Sequence, residues 1–158
     1  IDLKVVSETG KHKLQFPHAK HLIFGGGKFT HCLCDSIRDS IRGAEFPDGK
    51  LKVTLLADAI YDNSLYYWEF QEQRSSKNNI RQSLDVLISS MSDQSLKKFF
   101  VQRFLGNMKV FCPNQTDEPL SPLLYRFTIR RNGNVIGHAG LLGPMIDIDF
   151  SSVDSAIQ

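Results

Sequence analysis

His31, Cys32, Cys34 and Cys112 carry side chains that commonly bind zinc in proteins. The first three fall in a segment with helical periodicity, where positions 31, 32 and 34 point in three directions and cannot converge on one ion. Structural zinc sites instead favour pairs such as Cys-x₂-Cys on a turn. We therefore predict no metal site and interpret these residues as small side chains of the core.

The segment His18-Ala19-Lys20 resembles the His-x-Lys core of phospholipase D-type phosphodiesterases. In that family the histidine is the nucleophile and the lysine holds phosphate, and two such motifs usually meet. Gly25 stands where the family has an aspartate, and the sequence contains no second copy of the motif. The resemblance covers residues 18–24 alone and implies a phosphodiesterase as an alternative function.

Two carboxylates on neighbouring predicted strands, Asp58 and Glu69, could serve a metal-dependent nuclease. Carboxylates in that arrangement bind Mg²⁺, and a nearby lysine aids the attacking water. Gln71 takes the place of that lysine, so a solvated polar strand face explains the same residues. The chain also has no Gly-x-Ser-x-Gly, P-loop or dinucleotide-binding fingerprint. We predict no catalytic residue and no cofactor.

Length and composition favour one globular domain. The 158 residues are 41% hydrophobic and include eleven phenylalanines, which supply a core that needs no disulfide or metal. A net charge of +2 and a pI near 8.5 permit nucleic-acid binding without favouring it, because such binders usually have a pI above about 9. No apolar run approaches the roughly 18 residues of a membrane span.

The cysteines bear on the cellular compartment. Their number is odd and two lie two residues apart, which disagrees with a secreted disulfide framework. Free thiols in a reducing compartment fit better, so we expect an intracellular protein of the cytoplasm or nucleus. The triplet Asn114-Gln115-Thr116 fits the N-glycosylation pattern and keeps secretion open as the alternative.

The spacing of apolar residues predicts three helices. Phe29, Leu33, Ile37 and Ile41 recur every four residues and define an amphipathic helix that ends at Gly43. Ser76 is the expected N-cap of the next helix, and Ser92 or Asp93 that of the one after it. The apolar stripes of these later helices are Ile80, Leu84, Leu87, Ile88 and Met91, and then Leu96, Phe99, Phe100 and Phe104.

The first half of the chain also contains strand patterns. Short apolar stretches within Ile1–Phe24 predict strands, and Gly25-Gly26-Gly27 is expected to break the chain after them. Leu51, Val53 and Leu55 share one face of an alternating segment. Turn residues follow at Asp62-Asn63-Ser64, so residues 50–73 are predicted to form a hairpin.

A second hairpin is predicted over Leu123–Leu142. Its turn is Asn132-Gly133, because a type I′ turn needs a positive φ at both central residues. Met145–Phe150 is then expected as an edge strand. Arginines 126, 130 and 131 make a basic strip near the turn, for which a solvated polar face is a simpler interpretation than contact with phosphate or an acidic peptide.

These elements together predict the fold class. We expect a single domain over residues 1–158, with residues 1–27 as a candidate subelement. The class is α+β, with a mixed, mostly antiparallel sheet and about three helices packed mainly on one face.

The middle of the chain resembles the core of a HORMA domain. HORMA domains occur in spindle-checkpoint, meiotic-axis, translesion-synthesis and autophagy-initiation adaptors, and the resemblance implies a scaffold or adaptor that binds partner segments. The family's long N-terminal core helix has no counterpart in the first 24 residues, and no C-terminal segment clearly corresponds to its safety belt. The residues that carry the resemblance are Phe29–Gly43, Leu51–Leu56, Leu65–Phe70 with its Trp-x-Phe pair, Asn79–Met91 and Pro122–Phe127.

We therefore hypothesise a non-catalytic interaction domain that binds a protein partner, or a second copy of itself, by adding a strand to an exposed sheet edge. A phosphodiesterase or metal-dependent nuclease is the alternative. A viral structural or RNA-binding protein is a further one, which the phenylalanine content and mild basicity permit. The residues predicted to bind the partner are Leu123, Tyr125, Arg126, Phe127 and Arg130.

Overall fold

The computed structural model describes residues 16–27, 29, 33–62, 82–101 and 124–157, and six strands in this part of the chain form one sheet. The strands are β1 (His21–Gly27), β2 (Lys50–Asp62), β3 (Gln82–Ser83), β4 (Arg126–Arg131), β5 (Asn134–Ala139) and β6 (Met145–Ser151). The helices are α1 (Cys34–Arg42), α2 (Leu84–Ser89), α3 (Asp93–Phe100) and α4 (Val153–Ala156). The predicted α+β class is confirmed.

The spatial order of the strands is β1-β2-β6-β4-β5, and β3 pairs with the end of β2. The β1–β2, β2–β6 and β4–β6 pairings are parallel, whereas β4–β5 and β2–β3 are antiparallel. The sheet is mixed, as predicted, but its described pairings are not mostly antiparallel. The reason is that helix α1 returns the chain from β1 to β2 in the same direction, and β5 reverses the chain between β4 and β6.

Strand β6 lies in the middle of the sheet, so the prediction of an edge strand at residues 145–150 is wrong. Its partners are β2 on one side and β4 on the other. The alternation of Ile146, Ile148 and Phe150 shows only that one face is buried. It carries no information about whether one or both backbone edges of the strand are paired.

One face of the sheet packs against α1, α2 and α3 and forms the core. Phe100 of α3 makes edge-on contacts with Phe127 and Phe150, at ring-centroid distances of 5.4 and 6.4 Å. Phe29 stacks on Phe99 at 5.9 Å. The helices therefore pack on one face, as the apolar stripes predict. The sheet residues of this core are Leu22, Leu51, Val53, Leu55, Ala57, Ile60, Phe127, Ile129, Ile146, Ile148 and Phe150.

Two of the predicted helix signals are confirmed and one is wrong, because α2 begins at Leu84 directly after β3, with Ser83 and not Ser76 at its N-cap position. Helix α1 ends before Gly43, and the Ser92 hydroxyl oxygen accepts a hydrogen bond from the Ser95 backbone N–H at the start of α3. Residues 76, 80 and 104 lie outside the described residues. The three glycines 25–27 do not break the chain but continue β1, with a register shift between Phe24 and Gly26.

The second hairpin has the predicted turn. Asn132 and Gly133 have φ values of 48° and 84°, so both central residues adopt the positive φ that a type I′ turn requires. The register changes between Ile129 and Arg130, which leaves Ile136 without a partner as a β-bulge in β5. The first predicted hairpin has its first strand in β2, but residues 52–55 cannot pair with a second arm because β1 and β6 occupy both of their edges. Residues 63–81, which include the predicted second arm, lie outside the described residues.

Arg131, at the end of β4, attaches the sheet to the corner between α2 and α3. Its Nη2 donates to the carbonyl oxygens of Ile88 at 3.2 Å and Met91 at 2.9 Å, and its Nη1 lies 3.3 Å from Asp93 Oδ1. The Ile88 carbonyl lies in the last turn of helix α2 and the Met91 carbonyl just beyond it, and the C-terminal end of a helix favours a cation.

We expect Arg131→Ala to lower the free energy of unfolding by about 2 kcal/mol, because two hydrogen bonds from a charged donor are lost. Asp93→Asn is the matched control and should cost less than about 1 kcal/mol, since the Asp93 side chain is largely exposed. Urea unfolding followed by circular dichroism measures both. Equal urea midpoints for wild type and Arg131→Ala would show that the Arg131 contacts contribute nothing to the stability of the domain.

Within the described residues, no helix is long and apolar enough to cross a membrane.

Candidate interaction surface

The predicted binding residues lie on a strand that is not at the edge. Strand β4 pairs with β5 on one side and β6 on the other, so the predicted free edge there is wrong. Phe127 is buried in the core, and Tyr125 packs against Phe46 and Phe127 at 5.7 and 6.4 Å. Leu123 lies outside the described residues. The aromatic members of the predicted set therefore stabilise the fold.

The arginines of the predicted basic strip bond within the domain. Arg126 Nε donates to the Gly143 carbonyl oxygen at 2.9 Å. Arg130 Nε lies 2.8 Å from Asp147 Oδ1, and its Nη1 donates to the Gly133 carbonyl oxygen at 3.0 Å. Arg131 faces the helices as described above. The three side chains do not converge on one point, which agrees with the simpler interpretation of a polar surface.

The sheet face opposite the core is polar across all five strands of the main order. One row in register consists of His21, Lys52, Asp147, Thr128 and His138. In the next row the Asp149 carboxylate accepts from the Gly133 N–H, at 3.1 and 3.2 Å. Both carboxylates of β6 thus have partners inside the domain, and no group of three or more metal-ligating residues occurs among the described residues.

The candidate catalytic residues that the structure describes make their contacts within the domain. His18 is exposed, with its Nδ1 3.2 Å from Glu45 Oε2. The Asp58 carboxylate accepts from the Val153 N–H at 2.9 Å and so caps helix α4. Glu69 lies outside the described residues, as do residues 31, 32 and 112, while Cys34 is buried in α1. The structure therefore gives the enzyme alternatives no assembled site within its described residues.

The two ends of the described sheet differ in character. β1, at one end, contains three glycines, of which Gly26 has a φ of 94°. β5, at the other end, reads Asn-Val-Ile-Gly-His-Ala and, like β1, contains no Asp, Glu, Lys or Arg. Val135 of β5 is 49% exposed, and the Lys97 side chain of α3 lies over Gly137. In the sequence, residues 132–146 contain no Asp, Glu, Lys or Arg, a feature that points to β5 and not to β4.

His21 sits on the polar face with its Nε2 2.7 Å from Thr54 Oγ1. Burial of the imidazole, and secondarily the positive charge of Lys52, lower the pKa of His21 below its usual value. The folded domain therefore favours the neutral ring, whereas an unfolded chain takes up a proton near pH 6.5.

We expect stability to fall as the pH drops below about 6.5, because the unfolded chain then binds more protons than the folded one. The His21 contribution is fully present above that pH and is lost as the pH falls through the lowered pKa. Urea midpoints at pH 7.5 and 5.5 should differ less in His21→Gln than in wild type. Lys52→Gln should reduce the pH dependence only in part, because burial is the larger cause. An unchanged pH dependence in His21→Gln would contradict this assignment.

No protein-family model, curated protein or solved structure matches this chain. The resemblance to HORMA domains stays a prediction from the sequence.

Proposed function

We propose that this chain is a non-catalytic interaction domain that binds an extended segment of a partner protein along β5. The observation that carries the proposal is that β5 ends the described sheet and carries no formal charge. Strand edges that are not meant to pair usually carry charges, a proline, a bulge or a cover. Of these devices β5 has the bulge at Ile136 and no charge or proline.

The outward N–H and C=O groups of β5 are the first groups that a partner strand would contact. In an antiparallel ladder, alternate residues direct their N–H and C=O groups away from the neighbouring strand. Counted from the two-residue turn, Val135 is such a residue, because Arg131 and Asn134 form the pair that closes the hairpin. An added strand satisfies these outward groups, and its side chains alternate between the two sheet faces. This mode of binding is also the one that the resemblance to HORMA domains implies.

Hydrogen exchange tests the proposal, with a peptide selected on this protein from a phage-displayed library of random 12-residue sequences as the probe. We expect protection of the amides of Val135–Ala139 to rise when the peptide is added. Val135→Pro should remain folded, because proline is tolerated where the N–H faces away from the sheet, and should lose binding. Val135→Thr keeps the β-branched shape and the donor, so it should bind like wild type.

Two results would contradict the proposal. Protection that rises elsewhere and stays unchanged along β5 would place the interface on another surface. Undiminished peptide binding by folded Val135→Pro would show that the outward donor is not used. A concentration-dependent dimer in sedimentation experiments, abolished by the same substitution, would mean that a second copy of the chain occupies β5 in place of a partner protein.

A further inference from the structure

Three leucines form an exposed apolar corner at the end of the sheet where β5 stops. Leu124, Leu141 and Leu142, here named the leucine corner, are 64%, 88% and 69% exposed. Single exposed apolar residues are normal on protein surfaces, whereas groups of them mark binding surfaces. The three leucines are neighbours in the fold, because Gly143, next to Leu142, lies against the backbone of Leu124.

Backbone contacts fix the loop of the leucine corner in place. The Arg126 N–H donates to the Pro144 carbonyl oxygen at 3.0 Å, and its Nε donates to that of Gly143 at 2.9 Å. Gly143 has a φ of 92°, and a Cβ there would collide with the backbone of Leu124. An apolar surface that is already held in position loses little conformational entropy when a partner covers it.

The leucine corner continues the edge of β5. Gly140 directly follows Ala139, the last residue of the strand, and Leu141 comes next. An extended segment advances about 3.3 Å per residue, so a segment paired along β5 reaches the corner within two or three residues of the strand end. The same ligand can therefore use the backbone of β5 and the side chains of the corner.

The charge beside the leucine corner is positive. Exposed Arg126 borders it through its contact with Gly143, and exposed Lys50 lies in the same row, with Met145 between the two. Residues 124–126 and 139–145 contain no Asp or Glu. A ligand segment with carboxylates is complementary to this border, and a basic segment is repelled.

We infer that the occupant of β5 is an extended acidic–aliphatic segment, which places two or more large aliphatic side chains on the leucine corner and a carboxylate next to Arg126. This inference rests on the proposed function and names the chemistry of the partner.

The random peptide library provides the probe. Enriched peptides are expected to combine bulky aliphatic residues with an adjacent Asp or Glu. A synthetic copy should bind the Leu141→Ser/Leu142→Ser double variant about 10- to 100-fold more weakly than wild type. Val86→Ser, at an exposed apolar residue of α2, is the control and should leave binding unchanged. A copy with amides in place of its carboxylates should bind about 2- to 5-fold more weakly.

The other outcomes contradict either the acidic–aliphatic occupant alone or the proposed function as well. If the peptides fail to bind Val135→Pro but bind the double leucine variant as well as wild type, the acidic–aliphatic occupant is wrong and the proposed function stands. Peptides that respond only to the leucine variant overturn both, as does a selection without enrichment. Sedimentation of the protein with phosphatidylserine vesicles, abolished by the double variant, would overturn the peptide ligand in favour of a membrane surface.

Discussion

Val53→Asp is expected to unfold the domain. Val53 is fully buried in β2, and its neighbours in register are Leu22 of β1 and Ile148 of β6, both buried. A carboxylate in this position is removed from water and placed among apolar neighbours, which costs several kcal/mol. Small domains are stable by only about 5–15 kcal/mol, so one such group removes most or all of the stability.

Circular dichroism melts and the dispersion of an amide NMR spectrum measure this outcome. Ile23→Asp is the matched control, because it also replaces an aliphatic strand residue by aspartate but lies on the polar face and is 43% exposed. It should change the free energy of unfolding by less than about 1 kcal/mol. A cooperative melt of Val53→Asp near the wild-type temperature would show that this face is not the core.

Thr128→Pro is expected to have the second large effect. Thr128 is buried in β4, opposite His138 of β5 on one side and Asp147 of β6 on the other. Proline removes the N–H that one of these strands uses and leaves a buried carbonyl oxygen unpaired, at a cost of about 1–3 kcal/mol before any distortion of the strand. Because both sides of β4 are paired, the substitution cannot be accommodated as it can at an edge.

Thr128→Val distinguishes the effect of losing the Thr128 hydroxyl from the effect of losing its backbone N–H. It keeps the β-branched shape and removes the hydroxyl, which lies 3.5 Å from His138 Nδ1 and 3.3 Å from Met145 Sδ. We expect this variant to fold and Thr128→Pro to unfold in urea titrations under the same conditions. A folded Thr128→Pro beside an unfolded Val135→Pro would reverse the positions of β4 and β5 in the sheet.

Local features were predictable from the sequence because their causes are local. The alternation of Leu51, Val53 and Leu55 predicted which face of β2 is buried. Gly43, which follows the apolar repeat of α1, predicted where that helix ends. Asn132-Gly133 predicted its turn because few residues adopt two consecutive positive φ values. In each case the decisive interaction joins residues that are close in the chain.

The candidate site was predictable only in part. The sequence hypothesis placed the partner in the second hairpin, and the absence of Asp, Glu, Lys and Arg from residues 132–146 fits β5. It assigned the contacts to residues 123–130 instead, since alternation shows which face of a strand is buried but not which of its backbone edges is paired. The leucine corner has no sequence signal of its own, because Leu124 is brought near Leu141 and Leu142 only by the packing of residues 143 and 144 against residues 124–126.

By itself the sequence determined the positions of α1, α3, β2, β4, β5 and β6 and which of their side chains face the core, but not β3 or α4. The tertiary structure decided the neighbours of each strand. It inserted β6 between β2 and β4, and this placed β4 in the interior of the sheet and left β5 at its end. Strand order follows from the joint burial of apolar faces contributed by residues far apart in the chain, and no local pattern in this sequence encodes that order.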